Sequence, residues 1–176
     1  AAKVKNNLQL RRDSDFSIKF SGLITKKILK NDLIKSFALP KKVHGTIFSK
    51  SKSGMKYGRH IDNAYMSSGR ADLSFTIFLN CKEDYKGGEL SIESLNADEK
   101  FKLNAGEIII YPSTYLHSVE EVTDGERLVF LGWIESYVKS IEEREYLFDL
   151  DAAARSLLSK YGRSEEVDLI FKSYSN

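Results

Sequence analysis

His60 and Asp62 stand two residues apart in Tyr57-Gly-Arg-His60-Ile-Asp62-Asn-Ala, and a second imidazole at His117 and a guanidinium at Arg127 follow. On an extended strand, residues i and i+2 share a face, so His60 and Asp62 would point the same way. Two imidazoles and one carboxylate occupy one face of an octahedral ferrous ion. They leave three positions open to a co-substrate and oxygen. An arginine downstream is the natural partner for a dicarboxylate lying beside that metal. The chemistry implied is oxygenation. Catalytic zinc also accepts two histidines and a carboxylate, so a zinc hydrolase on the same ligands stays open here. The HExxH pattern of common zinc hydrolases is absent, as is any further histidine or cysteine cluster.

Arg127 opens the apolar run Arg127-Leu-Val-Phe-Leu-Gly-Trp133, and on a strand Arg127, Val129, Leu131 and Trp133 share one side. A charge on such a face is expensive without a partner. A carboxylate held by the guanidinium fork removes that cost and adds planar selectivity. The bland alternative is an exposed strand start, paired with Glu126 or Asp124. Of the other candidates, His44 reads as a structural side chain at the surface or core edge. Cys81, the only cysteine, reads as a half-buried structural thiol after a strand-like run.

Elements of two periods must position these groups. Residues 1–20 alternate weakly (Val4, Leu8, Leu10, Phe16, Ile18, Phe20) and suggest a strand or extended arm. Over Ser21–Phe37 the apolar positions recur at helical spacing, and Pro40 closes the segment. Short β-type runs follow at Val43–Ser49, Leu73–Asn80, Glu89–Glu93, Phe101–Leu103, Glu107–Tyr111 and Arg127–Ile134. Turns at Ser51–Gly54, Gly87-Gly88, Asn104–Gly106 and Asp124-Gly125 separate them. That is a sandwich or barrel of about seven or eight strands. From Ser136 the period is helical again. The expected layout is an N-terminal arm and supporting helix (1–42), a β-core (43–135) and a C-terminal helical extension (136–176), one domain overall.

Composition narrows the class further. The 176 residues suffice for one domain with a sizeable core. The 27 basic and 25 acidic side chains leave a net +2, too little for a nucleic-acid footprint. A lone cysteine allows no internal disulfide and suits a reducing, cytoplasmic setting. No apolar stretch approaches the roughly 20 residues of a membrane span, so no membrane partner is expected.

Taken together, several stretches resemble the iron(II)- and 2-oxoglutarate-dependent oxygenases of the prolyl-4-hydroxylase superfamily, above all the bacterial PKHD-type hydroxylases. They are Gly54-Met-Lys-Tyr-Gly-Arg-His60-Ile-Asp62-Asn-Ala, Arg70-Ala-Asp-Leu-Ser-Phe-Thr-Ile-Phe-Leu, Asp84-Tyr-Lys-Gly-Gly-Glu-Leu90, Leu103-Asn-Ala-Gly-Glu-Ile-Ile-Ile-Tyr-Pro112, Leu116-His117-Ser-Val, Gly125-Glu-Arg127 through Gly132-Trp-Ile-Glu-Ser136, and Arg144-Glu-Tyr-Leu-Phe-Asp-Leu150. The likeness runs in order from about residue 43 to 151; the tail beyond Asp151 carries no pattern of the group.

The resemblance implies a mainly β fold, a double-stranded β-helix (jelly roll) with flanking α-helices. It implies His60, Asp62 and His117 as iron ligands and Arg127 as the seat of the far carboxylate of 2-oxoglutarate, with Fe(II), 2-oxoglutarate, O2 and ascorbate as cofactors. Tyr57 and Tyr111 are candidates for a phenol hydrogen bond to the co-substrate. Thr76 and Asn80 are candidate pocket-lining groups, and Arg59 is expected to point outward. The substrate would be a peptidyl prolyl residue, an amino acid or another small molecule, selected by rim loops at Tyr65–Arg70 and Lys82–Lys86. A non-catalytic jelly-roll binding module is the rival from a different class. Oligomeric state is open.

Overall fold

The computed structural model describes residues 5–175. Val4 of the expected arm lies outside that range. The arm keeps only a short strand, β1 (Leu8–Gln9), and helix begins earlier than the periodicity suggested. α1 spans Asp15–Lys30 because Ser14 caps it, its side chain accepting from Ser17 N, with Asp15 in the first turn. Phe16, Phe20, Ile24 and Ile28 then recur every four residues along one stripe. The single helix expected over Ser21–Phe37 is two. Asn31, in extended backbone, ends α1 and also caps α2 (Asp32–Ala38) by accepting from Ile34 N. Leu39, in the left-handed region at φ 43°, and Pro40 stop α2.

The β-core follows as β2 (Pro40–Lys52), β3 (Tyr57–His60), β4 (Tyr65–Met66), β5 (Gly69–Arg70), β6 (Leu73–Phe78), a 3-10 turn at Lys82–Asp84, β7 (Tyr85–Gly87), β8 (Leu90–Ile92), β9 (Glu99–Phe101), β10 (Ile108–Pro112), β11 (His117–Val119) and β12 (Val122–Ser136). Helices α3 (Ile141–Tyr161) and α4 (Glu165–Ser175) complete the chain. The major sheet runs β1-β2-β12-β6-β10, with β7 also paired to β12; the minor sheet runs β3-β11-β8-β9. Antiparallel pairing throughout and two facing sheets make this the expected jelly roll with flanking helices.

Alternation assigns the two faces of the major sheet. In β6, Leu73 and Phe75 face outward with Phe130 and Ile134 of β12, forming one core with Ile28, Ile34 and Ala38 of the helices. Phe48 and Ile77 pack against the same cluster, and Phe48 lies 4.6 Å from Phe130, ring to ring. The opposite face sets buried polar groups (Ser49 and Ser51 of β2, Ser74 and Thr76 of β6, Arg127 of β12) among apolar ones such as Phe78 and Val129. The register places Arg127 opposite Ser51, Leu131 opposite Thr76, and Trp133 opposite Ser74. A helix-covered apolar face and an inward polar face are what a jelly roll with an internal site requires.

The turn expected at Asp124-Gly125 is instead a bulge within β12, where the pairing with β7 shifts register between Val122 and Asp124. Gly125 adopts φ 72°, and a Cβ there would collide with the Asp84 carbonyl. β12 therefore starts five residues before Arg127, and the guanidinium sits inside the sheet, not at its exposed start.

Candidate functional site

β3 and β11 are antiparallel neighbours, and their register sets His60 directly across from His117. The imidazole centroids are 4.2 Å apart. Asp62 lies two residues past the end of β3, held where its N–H donates to Ser113 O (3.3 Å). Its Oδ2 is 3.7 Å from His117 Nε2. One ligand atom from each of His60, Asp62 and His117 lies within 4.8 Å of the others, spacing that a single ion can bridge.

Outer contacts orient these three groups. His60 Nδ1 is 2.7 Å from Gly58 O and His117 Nδ1 is 2.9 Å from Tyr115 O. A carbonyl only accepts, so both Nδ1 atoms carry the proton and both Nε2 lone pairs are free for a metal. Ser74 Oγ donates to Asp62 Oδ2 (2.6 Å) and is itself 2.8 Å from Ser113 Oγ. Burial, with His117 adding to it, lowers the His60 pKa and favours the neutral ligating form. Tyr57 stacks on the His60 ring at 3.6 Å, and Tyr111 meets His117 edge-on at 5.1 Å. Burial raises both phenols above their ordinary range, so they stay protonated.

Arg127 occupies the same cavity, which encloses about 480 Å³ and is also lined by His60, Asp62, His117, Tyr111 and Thr76. That volume lies within the ~300–1,000 Å³ range of small-molecule sites. Arg127 is only 3% exposed, and its Nε has no hydrogen-bond partner; the nearby Tyr85 hydroxyl has none either. Its Cζ lies 5.4 Å from the centre of the Phe78 ring. Burial opposes the charge, and Tyr85 and Tyr111 offset it incompletely. A buried guanidinium with an unsatisfied donor is suited to receive a carboxylate.

Other expectations divide. His44 is buried and structural, bridging Ser68 Oγ and Arg70 O at 2.8 Å each. Arg59 points outward to Asp98. Cys81 is exposed, not half-buried, because β6 ends at Phe78 and the chain turns into the 3-10 segment. Asn80 lies beyond the strand too, outside the cavity. Its side chain instead clamps β12, donating to Glu126 O and accepting from Leu128 N. Of the two rim loops, the β4–β5 hairpin reaches the cavity through Met66, Ser67 and Ser68; the Lys82–Lys86 stretch does not. Ser74, Tyr85 and the arm residue Lys5 are additions that no spacing in the sequence signalled.

Fold and site together define a jelly-roll protein with a candidate mononuclear metal centre and a buried anion seat in one cavity. The 2OG-Fe(II) oxygenase superfamily profile matches residues 46–135. Over all 176 residues the chain is 76% identical to a PKHD-type hydroxylase of Prochlorococcus marinus (strain MIT 9215), covering 80% of that protein. It is 72% identical to another from strain MIT 9515, again covering 80%. In structure it is similar to a Pseudomonas putida prolyl-4-hydroxylase (TM-score 0.57, 17% identity, 77% of this chain and 75% of that one). A Trichoplax adhaerens prolyl hydroxylase gives a TM-score of 0.53 at 16% identity, over 84% and 68% of the two chains, and supports the same fold. The chain belongs to the 2OG-Fe(II) oxygenase superfamily and is a 2-oxoglutarate-dependent hydroxylase.

Proposed function

We propose that His60, Asp62 and His117 hold Fe(II) and that Arg127 seats the far carboxylate of 2-oxoglutarate beside it. The observation that carries this reading is the pairing, in one cavity, of a convergent two-His-one-carboxylate set with a buried guanidinium whose Nε has no hydrogen-bond partner. When bound, Fe(II), 2-oxoglutarate and O2 supply the oxidising power to hydroxylate a C–H bond, releasing succinate and CO2. The chain's own groups do the rest. Gly58 O and Tyr115 O fix the imidazole tautomers, Ser74 steadies the Asp62 carboxylate, and Tyr57 and Tyr111 wall the ligands off from water. Thr76 lines the same cavity and is a candidate contact for the co-substrate. Ascorbate belongs to this reading as a reductant that would keep such an iron ferrous. The buried anion seat disfavours a zinc hydrolase or a non-catalytic jelly roll, neither of which needs it. No helix among the described residues is long and apolar enough to cross a membrane.

The test is anaerobic reconstitution with Fe(II) and 2-oxoglutarate. A chelate charge-transfer band in the wild type that vanishes in His60→Ala is the expected result. A wild type without the band, or activity supported by zinc alone, refutes the assignment.

A further inference from the structure

The segment before α1 forms one wall of the cavity by tying the two sheets together. Lys5 makes a bridge with Tyr57 of the minor sheet, Asn6 N donates to Lys56 O (2.9 Å), and Leu8 and Gln9 pair with Lys50 and Ser49 of the major sheet. Asn7 Nδ2 donates to Ser49 Oγ (2.6 Å), and Leu10 N donates to Phe48 O (3.0 Å). This places Lys5 and Arg12 on the cavity lining, alongside Lys56. Lys5 Nζ is 5.0 Å from the centre of the Tyr57 ring, itself stacked on His60.

The charges in this cavity do not match. Among the described residues, Asp62 is its only acidic lining group. On the reading above, the iron and Arg127 are neutralised by Asp62 and by both carboxylates of 2-oxoglutarate. Lys56 is met by Glu121 at 3.4 Å. Among the described residues, neither Lys5 nor Arg12 has a carboxylate within ion-pair distance, and each opposes the other's charge. Burial lowers the Lys5 pKa, with Asp62 the main opposing influence. Two unmatched cations on the open side of a neutralised centre favour a ligand that brings negative charge of its own.

We propose that the substrate is anionic and docks a carboxylate between Lys5 and Arg12, with its reacting carbon carried inward toward His60 and His117. This inference rests on the iron and 2-oxoglutarate reading. It favours a free acid or a chain-terminal residue over an internal prolyl residue of a polypeptide, which has no charge at the matching place. Trp133 supplies the facing wall. Gly45, at φ 63°, makes room for its ring, since a Cβ there would lie 2.6 Å from Trp133 Cε3. The buried Trp133 Nε1 has no hydrogen-bond partner and is a donor available to the same ligand.

Trp133 is the only tryptophan, so its fluorescence reports occupancy of this cavity. The enzyme loaded anaerobically with Fe(II) and 2-oxoglutarate is titrated with N-acetyl-L-proline and, separately, with N-acetyl-L-prolinamide, while the chelate band is recorded in the same cuvette. The acid is expected to bind at least about tenfold more tightly than the amide, by a margin that shrinks as salt rises. The double variant Lys5→Gln, Arg12→Gln, which leaves the arm's backbone hydrogen bonds in place, is expected to lose that preference and keep the band. Equal binding of acid and amide, binding of neither, or a preference intact in the double variant overturns the proposal while the band leaves the cofactor reading standing. A wild type without the band removes both.

Discussion

Ser74 Oγ lies 2.6 Å from Asp62 Oδ2, so a residue of the major sheet reaches across the cavity to fix the one carboxylate of the candidate iron site. The link matters because Asp62 sits beyond the end of β3 and lacks the ladder that holds His60. Ser74→Ala is expected to weaken Fe(II) binding by roughly 10–100-fold, the usual consequence of losing an outer-shell partner. Its folding midpoint should hardly change. Iron titration by the chelate band, set against urea unfolding, separates the two; unchanged affinity would reduce Ser74 to a packing role.

Arg127→Leu keeps much of the side chain's volume and removes the anion seat. The 2-oxoglutarate requirement should rise by about 10- to 100-fold for each charge-assisted bond lost, with iron still bound. Arg127→Lys should recover little, because a point charge does not reproduce the planar fork. KM for 2-oxoglutarate from succinate release, alongside metal content, is the measurement.

Glu135, near the end of β12, accepts from Lys41 (2.9 Å) and from Arg70 N (3.2 Å), with Lys42 at 3.4 Å. The Lys41 ammonium first, then the Arg70 N–H, holds its pKa at about 2 against an ordinary 4.5. A carboxylate lowered on folding contributes stability that is complete above 4.5 and is lost as pH falls through 2. The stability gap between wild type and Glu135→Gln should therefore be constant near neutrality and close between pH 4.5 and 2. Denaturant midpoints across that range test it, and a gap that widens toward acid contradicts the assignment.

Phe130 is fully buried between the major sheet and the helices, against Phe48 and Phe75. Phe130→Ala should cost about 3–5 kcal/mol, measured by urea unfolding. Because its neighbour Val129 faces the other way, the residual folded fraction should still bind Fe(II).

The candidate ligand set, which the structure brings together, was legible because strand geometry turns spacing into direction. His60 and Asp62 share a face, and Arg127 and Trp133 share another. Short turn-marked strands gave a sandwich or barrel, and the family resemblance implied the jelly roll. What stayed hidden depends on pairing between distant strands. Ser74 meets Asp62 only through the β6–β10 and β3–β11 registers, and Lys5 meets Tyr57 only because the arm is drawn across both sheets. Helix α1 was missed at its start because Phe16, Ile18 and Phe20 also fit a two-residue period; the Ser14 cap decided between them. Cys81 and Asn80 were misplaced by extending β6 two to three residues past Phe78.

Arg127 and Trp133 sit on one face of a single unbroken strand, six residues apart, which at about 3.3 Å per residue sets them roughly 20 Å from each other. β12 thus serves as a rigid gauge, with the proposed co-substrate seat at one mark and the proposed ligand wall at the other. Deleting one residue between the marks would rotate one of them to the helix side, so side chains along the gauge can be exchanged while its length cannot change.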